Sequence, residues 1–239
     1  MSVYRVIISH NQTDYIMKFP AGTSSVFVFD APSAEDIILS TRQMGQAVTM
    51  DTAGNRSANR NAGLARILSQ FEPDDEDIVE FFDGDRFPVR YKPDVVDRIM
   101  REHDISCMLY TCETDTRYQK IFVPLKGATI VDTGTLCNPF YSNGFAMRVR
   151  AVRKVIEFND GEFFMTSFNK WGCEDQYMGL VCDRLGFRVA LTRETQLNGH
   201  VGGEEELHPD YRDSLQQYID LIREKQLPVR TVSRPTKLV

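Results

Sequence analysis

Short apolar runs alternate with amphipathic stretches through the first half of the chain, and this alternation restricts the fold more than any other feature. The runs are rich in Val, Ile and Phe, as buried strands are, and they span 4–9, 25–30, 47–52, 77–85 and 105–113. The stretches between them carry apolar residues at helical spacing and cover 33–44, 55–71 and 92–104. This order predicts an α/β fold, a layered and mostly parallel sheet with helices on both faces.

The second half of the chain is less regular. We predict short strands at 120–125, 153–158 and 187–192, and helices at 174–186 and 208–226. No segment rich in Gly, Ser or Pro separates the two halves. A single domain over 1–226 is therefore expected, with halves of about 1–113 and 114–226 and a loosely held tail at 227–239.

The charge balance limits the classes of partner. The chain of 239 residues has a net charge of −6 and a pI of about 5.3, which gives no general attraction to nucleic acid or anionic membrane. No apolar run is long enough to span a bilayer, and the N-terminus lacks the pattern of a signal peptide. Five cysteines without a CxxC pair are expected to be reduced thiols, so we predict a cytoplasmic protein.

Two carboxylates follow the strand predicted at 77–85. Asp83 and Asp85 flank Gly84 at the carboxyl end of that strand, and ligands bind at this edge of an open α/β sheet. Two acids on a tight turn can hold Mg²⁺ or Mn²⁺ against a diphosphate. An ordinary Asp-Gly turn is the alternative, and for this turn taken alone it is the better supported one.

A second acidic site begins the helix predicted at 174–186. There the motif WGCED, residues 171–175, places Glu174 and Asp175 in the first helical turn. Acids suit the positive end of a helix dipole, so a capped helix is the simple interpretation. The sharper interpretation is a general base for a hydroxyl nucleophile, which requires a partner site such as the Asp-Gly-Asp turn.

Three further polar residues are candidates. Arg60 and Asn61 lie near the start of the helix predicted at 55–71, where a solvated helix start is the simpler interpretation. His200 lies in a glycine-rich loop. A lone histidine is usually structural or exposed, although imidazole also suits Mn²⁺.

The order of these motifs resembles the GT-A glycosyltransferases, closest to the inverting family-2 enzymes and to galactosyltransferases with a WGxED-like motif. The matching runs are, in chain order, the strand end at Asp30, SANRNAGLARI, FFDGD, NPFYSNGFAMRVRAVRKV, KWGCEDQYMGLVCDRLGFRV and His200. They extend over about residues 3–225. The resemblance implies a GT-A-type, Rossmann-like fold with a nucleotide-binding first half and an acceptor-binding second half.

The resemblance also implies an activity. It is the metal-dependent, inverting transfer of a sugar from a nucleotide-sugar, above all a UDP-sugar, to a hydroxyl of a glycan or other acceptor, with Mn²⁺ or Mg²⁺ as cofactor. The implied roles fall into three groups: nucleotide-sugar binding by Asp30, Arg60, Asn61, Asp83, Trp171 and Gly172; metal binding by Asp83, Asp85 and His200; and catalysis by Asp175 as base with Glu174 at the acceptor.

Three alternatives keep part of this pattern. A sugar-nucleotide-binding relative without turnover would have no need of the acids at 83, 85 and 175, which are present. A nucleotidyltransferase usually carries a glycine-rich basic loop after its first strand, and residues 9–19 offer none. A viral-type glycosyltransferase acting on modified DNA bases is disfavoured by the acidic pI. The basic stretch 148–154 keeps it open, although an exposed strand edge is the simpler interpretation of that stretch, and 72–77 is expected to be a solvated acidic loop.

Overall fold

A computed structural model gives the fold of most of the chain. It describes residues 1–10, 18–19, 24–30, 34–42, 45–52, 54–84, 87–110, 128–130, 144–168, 173–197 and 211–227. The strand predicted at 120–125 lies outside this part of the chain.

Nine strands within the described residues form one mixed sheet. They are β1 (Val3–His10), β2 (Ser25–Asp30), β3 (Gln46–Met50), β4 (Ile78–Asp83), β5 (Pro88–Arg90), β6 (Ile105–Tyr110), β7 (Ala128–Ile130), β8 (Gly144–Arg148) and β9 (Val189–Leu197). The order is β3-β2-β1-β4-β8-β6-β9-β5, and β7 also pairs with β9. Most pairings are parallel, but β8 runs antiparallel to β4 and β6, and β5 runs antiparallel to β9.

Six helices accompany the sheet within the described residues. They are α1 (Ala34–Arg42), α2 (Arg56–Gln70), α3 (Pro93–Met100), α4 (Val149–Phe158), α5 (Glu174–Arg184) and α6 (Tyr211–Glu224). Apolar residues of α2, α4 and α5 share one core cluster, and those of α3 pack in clusters with the alternate residues of the strands. Helices therefore cover both faces, and the predicted α/β class is confirmed. None of the described helices is long and apolar enough to cross a membrane.

The strand predicted at 153–158 is wrong, because these residues belong to helix α4. Val149, Val152 and Val155 recur every three residues and are fully buried, which is the spacing of a helix face and not of a strand. The basic residues between these valines led to the interpretation of 148–154 as an exposed strand edge.

The acidic loop and the basic stretch are partners of each other. Arg150 and Arg153 of α4 form ion pairs with Glu76 and Asp75, and Arg148 donates to Glu76 over 2.7 Å. The acidic loop therefore neutralises the arginines of the stretch 148–154, whose positive charge was the reason to consider a nucleic-acid acceptor. Its last acid, Asp77, is buried and accepts from the backbone of Ser2, so the loop is not simply solvated.

Candidate functional site

The carboxyl ends of three parallel strands meet at one edge of the sheet. In the register of β1, His10 lies beside Asp30 of β2, and Ile8 lies beside Asp83 of β4. Asp30 and Asp83 thus end strands two positions apart, about 10 Å at the usual strand spacing. This is the edge at which open α/β sheets bind ligands.

Close packing of α2 on the sheet brings Arg60 to Asp83. Gly63 makes this possible, since a Cβ there would lie 2.6 Å from Cγ1 of Val6 and 2.9 Å from Cγ2 of Val28. Three residues earlier, Arg60 is only 1% exposed, and its Nη2 donates to Oδ1 of Asp83 over 2.6 Å. Gly63 therefore allows α2 to pack closely on the sheet, and a buried ion pair joins the helix to the end of β4.

The charge of Arg60 links the two predicted acidic sites. Burial lowers the pKa of its guanidinium, but the negative charges of Asp83, Glu174 and Asp175 outweigh burial and raise the pKa above its ordinary value. The carboxylates at 83 and at 174–175 come from β4 and from the first turn of α5. Residues some ninety positions apart in sequence thus both act electrostatically on one buried cation.

Arg60 keeps unused hydrogen-bonding capacity. Its Nε and Nη1 are buried and have no hydrogen-bond partner among the described residues. Its guanidinium carbon lies 5.1 Å from the centroid of the Phe164 ring, which supports one side of the plane. Buried donors of this kind are rare in native proteins and call for an explanation such as a ligand.

The first turn of α5 begins from an uncommon backbone conformation. Cys173 has φ of 70° and ψ of −13°, in the left-handed region that favours glycine. Its side chain is buried and packs in the larger core cluster. Glu174 and Asp175 follow, both half-buried. The side chain of Cys173 therefore packs in the core, and its left-handed backbone leads into the turn that carries the two acids.

Asp30 orders the loop that leads into α2. Its carboxylate accepts from the backbone N–H groups of Thr52, over 3.0 Å, and Gly54, over 2.5 Å. Although burial alone would raise the pKa of this carboxyl, these hydrogen bonds lower it below its ordinary value. Thr52 also donates to the side chain of Asn59 on α2. The predicted contact of Asp30 with a nucleotide stays a prediction.

Asn61 joins α2 to the segment before α5. Its Nδ2 donates to the carbonyl of Phe164 over 2.7 Å, and its Oδ1 accepts from the N–H of the same residue over 2.9 Å. The carboxamide is therefore occupied on both sides by protein backbone. Its predicted place in the nucleotide pocket is untested by this arrangement.

The predicted metal site is only partly described. Asp85 and His200, together with Trp171 and Gly172 of the sugar site, lie outside the described residues. No group of three metal-binding side chains occurs within the described part of the chain. Asp83 fits the chemistry of a hard divalent cation, because Arg60 binds only its Oδ1 and leaves Oδ2 for a ligand.

Two residues of the site escaped the sequence reasoning. Phe164, which supports Arg60, was hidden because its partners are about 100 residues away. The left-handed backbone of Cys173 had no signal in the sequence, since the residue before a helix usually has an extended backbone.

Comparison with known proteins adds support at the level of the fold. No protein-family model matches the chain, and no curated protein matches it by sequence. A structure of S. aureus TarS, residues 1–349, superposes with a TM-score of 0.60 at 15% identity, covering 96% of this chain and 67% of that one. A longer TarS structure gives 0.62 at 13% identity and covers 96% and 41%. The chain thus spans two thirds of the shorter TarS chain and less than half of the longer one.

A third similar structure contains ligands. It is glucosyl-3-phosphoglycerate synthase from Mycobacterium tuberculosis in complex with Mn²⁺, UDP and glucosyl-3-phosphoglycerate. It superposes with a TM-score of 0.51 at 14% identity, covering 97% of this chain and 82% of that one. At such identities the likeness establishes the fold, which is the GT-A-like, Rossmann-like α/β sheet expected from the sequence.

Proposed function

We propose that the chain is a metal-dependent glycosyltransferase that moves a sugar from a nucleotide-sugar to an acceptor hydroxyl by a single inverting displacement. One observation carries the proposal. The buried Arg60 binds Asp83 at the ligand-binding edge of a GT-A-like sheet and keeps two buried donors without a partner among the described residues. The Mn²⁺ and UDP bound by the M. tuberculosis synthase, which shares this fold, make a UDP-sugar the first donor to test.

The donor half of the site lies between β4 and α2. Arg60 offers two unpartnered buried donors, which suit the oxygens of a diphosphate. Asp83 keeps Oδ2 for a ribose hydroxyl or a cation, and Asp85 follows two residues later in the sequence. When bound, a divalent cation supplies positive charge that stabilises the leaving diphosphate. Asp83, Asp85 and His200 are the residues we assign to hold it.

The acceptor half lies at the start of α5. An acceptor hydroxyl is a weak nucleophile and needs a base within hydrogen-bond reach as it attacks. We assign to Asp175 the role of accepting the proton of this hydroxyl, and to Glu174 the binding of the acceptor. Both are half-buried, and their negative charges help to raise the pKa of the buried Arg60 guanidinium. A single base without a second nucleophile implies inversion at the anomeric carbon.

The test is hydrolysis of a panel of nucleotide-sugars with Mn²⁺ and no added acceptor, measured as nucleoside diphosphate released. We expect release from a UDP-sugar, its loss with a chelator, and loss of both turnover and Mn²⁺-dependent UDP binding in Asp85→Ala. Binding of UDP with Mn²⁺ but no release from any donor, with or without a glycan acceptor, would instead identify a non-catalytic binding protein. Absence of both binding and release would overturn the proposal.

A further inference from the structure

The two halves of the proposed site are joined by one side-chain amide. Asn61 belongs to α2, the helix that carries Arg60, and Phe164 belongs to the segment 159–168 that leads from α4 toward α5. Asn61 binds both the N–H and the C=O of Phe164. Only a carboxamide offers a donor and an acceptor side by side in this way, so Asp, Ser or Leu at 61 could not form the same pair of bonds.

The segment that Asn61 binds is held together by contacts of its own. The ring of Phe164 packs edge-on against Phe163, with centroids 4.9 Å apart, and against Phe81 of β4 at 6.1 Å. Glu162 accepts from both the N–H and the hydroxyl of Thr166. A displacement of Phe164 would therefore move the segment as a unit.

The same segment is fastened to α5. Tyr177 donates to Oδ1 of Asn159 over 2.9 Å, and the ring of Phe168 lies 5.7 Å from that of Tyr177. Tyr177 is two residues after Asp175 in α5. The amide of Asn61 thus connects the helix of Arg60 with the helix of the acid pair through the segment 159–168, which it binds at Phe164 and which Tyr177 contacts at Asn159 and Phe168.

A second, weaker tie runs parallel to the first. Asn55, the N-cap of α2, accepts from the N–H of Ala58 and donates to the carbonyl of Thr166 over 3.1 Å. It makes one bond to the segment where Asn61 makes two. The effects of substituting Asn55 and Asn61 can therefore be compared, since the two residues make one and two hydrogen bonds to the same segment.

We propose that Asn61 is a positioning residue, which sets the distance between the donor half at Arg60–Asp83 and the acid pair at Glu174–Asp175, and which does not contact the nucleotide. The inference rests on the proposed function. It deepens that function by giving Asn61 a role in the alignment of the base with the donor, where a displacement of about 1 Å can cost about 10²-fold in rate.

The test is Asn61→Asp, which keeps the acceptor for the N–H of Phe164 but places a carboxylate oxygen against its carbonyl. Gln70→Glu is the matched control, since it makes the same chemical change at the exposed end of the same helix. We expect kcat for donor hydrolysis to fall about 10- to 100-fold in Asn61→Asp. We expect the Kd for UDP with Mn²⁺ to stay within about twofold, and Gln70→Glu to match the wild type. A loss of UDP affinity as large as the loss of kcat would show that Asn61 contacts the nucleotide, and an unchanged kcat would also overturn the inference.

Two further measurements protect the test. If Asn61→Asp does not fold, Asn55→Asp takes its place, because it keeps the helix cap and loses only the bond to Thr166. A drop in kcat at unchanged UDP affinity is again expected, and wild-type kcat would contradict the inference. If the wild type itself shows no turnover, hydrogen exchange of the backbone amides of 159–168 separates the two failures, because it reports on the segment that Asn61 binds. Exchange should be faster in Asn61→Asp than in Gln70→Glu, and equal exchange would exclude the tie even without an assay of activity.

Discussion

The two faces of β4 each bury a carboxylate paired with an arginine, and the two pairs are completed differently. Glu80 and Asp83 are three residues apart, so their side chains point to opposite faces. Glu80 accepts from Nε of Arg5 over 2.9 Å and from the hydroxyl of Tyr91 over 2.7 Å, and Arg5 also donates to that hydroxyl over 3.1 Å. Asp83 receives a single bond from Arg60.

The cluster of Arg5, Glu80 and Tyr91 is closed. Each of its three members binds the other two, and burial together with the charge of Glu80 raises the pKa of the Tyr91 phenol, so the hydroxyl stays protonated and donating. The pair of Arg60 and Asp83 is open, with two buried guanidinium nitrogens unused by the described residues. The two ion pairs on β4 therefore have different uses. The pair of Arg5 and Glu80 holds β1 and β4 to Tyr91, and the pair of Arg60 and Asp83 keeps hydrogen-bonding groups available for a ligand.

Of the changes that compare the two pairs, the largest effect is expected at the open pair. Arg60→Lys keeps the positive charge but loses the planar fork and two of its directed donors. We expect kcat/KM for donor hydrolysis to fall about 10²- to 10³-fold, as when a preorganised donor to a developing charge is removed. Thermal unfolding should show a change in Tm of only a few degrees. A Tm loss without a loss of activity would mean that Arg60 is structural like Arg5.

The matched change at the closed cluster should show the opposite pattern. Arg5→Lys cannot bind Glu80 and Tyr91 at once with the fixed geometry of a guanidinium. Because buried polar groups would lose partners, we expect a loss of about 2 kcal/mol in the free energy of unfolding, with kcat/KM within about twofold of the wild type. Urea unfolding and the hydrolysis assay measure the two quantities. A larger loss of activity than in Arg60→Lys would contradict the distinction.

A smaller, pH-dependent effect is expected at Asp30. Its folded pKa is lowered below the unfolded value of about 3.9, so its carboxylate stabilises the fold above that pH, and the contribution is lost as pH falls through the folded pKa. Asp30→Asn removes this linkage. The wild type should therefore exceed Asp30→Asn by about 1 to 2 kcal/mol at pH 7, and the difference should shrink between pH 5 and pH 3. A difference that is constant with pH would exclude the carboxylate as its source.

The smallest effect is expected at Cys173. Glycine normally destabilises relative to alanine, but at φ of 70° it relieves the strain of a left-handed residue. Cys173→Gly should therefore be at least as stable as Cys173→Ala, within about 1 kcal/mol of it, although it buries less surface. Paired urea titrations measure the difference. A clear advantage for alanine would show that the left-handed backbone at this position does not persist in solution.

The sequence predicted most elements and the edge of the sheet where the site lies. The run VEFFDGD was enough to place Asp83 at a strand end, since both a buried strand and a turn have strong local patterns. It could not reveal that Asp83 pairs with Arg60 or that Asn61 binds Phe164, because those contacts join residues 23 and 103 positions apart. The stretch 153–158 was assigned to a strand from its short apolar run, and 148–154 was interpreted as a strand edge because basic and apolar residues alternate there. The sequence could not show that Arg150 and Arg153 pair with the acidic loop from helix α4.

The most direct test of glycosyl transfer at this site is Asp175→Asn, assayed for hydrolysis of the active UDP-sugar and for binding of UDP with Mn²⁺. The substitution keeps shape and hydrogen bonding but removes the base, which acts only as the new bond forms. We predict a kcat about 10²- to 10⁴-fold lower than that of the wild type, with the Kd for UDP nearly unchanged. Wild-type kcat in Asp175→Asn, or a product of retained anomeric configuration by NMR, would contradict a single displacement in which Asp175 is the base.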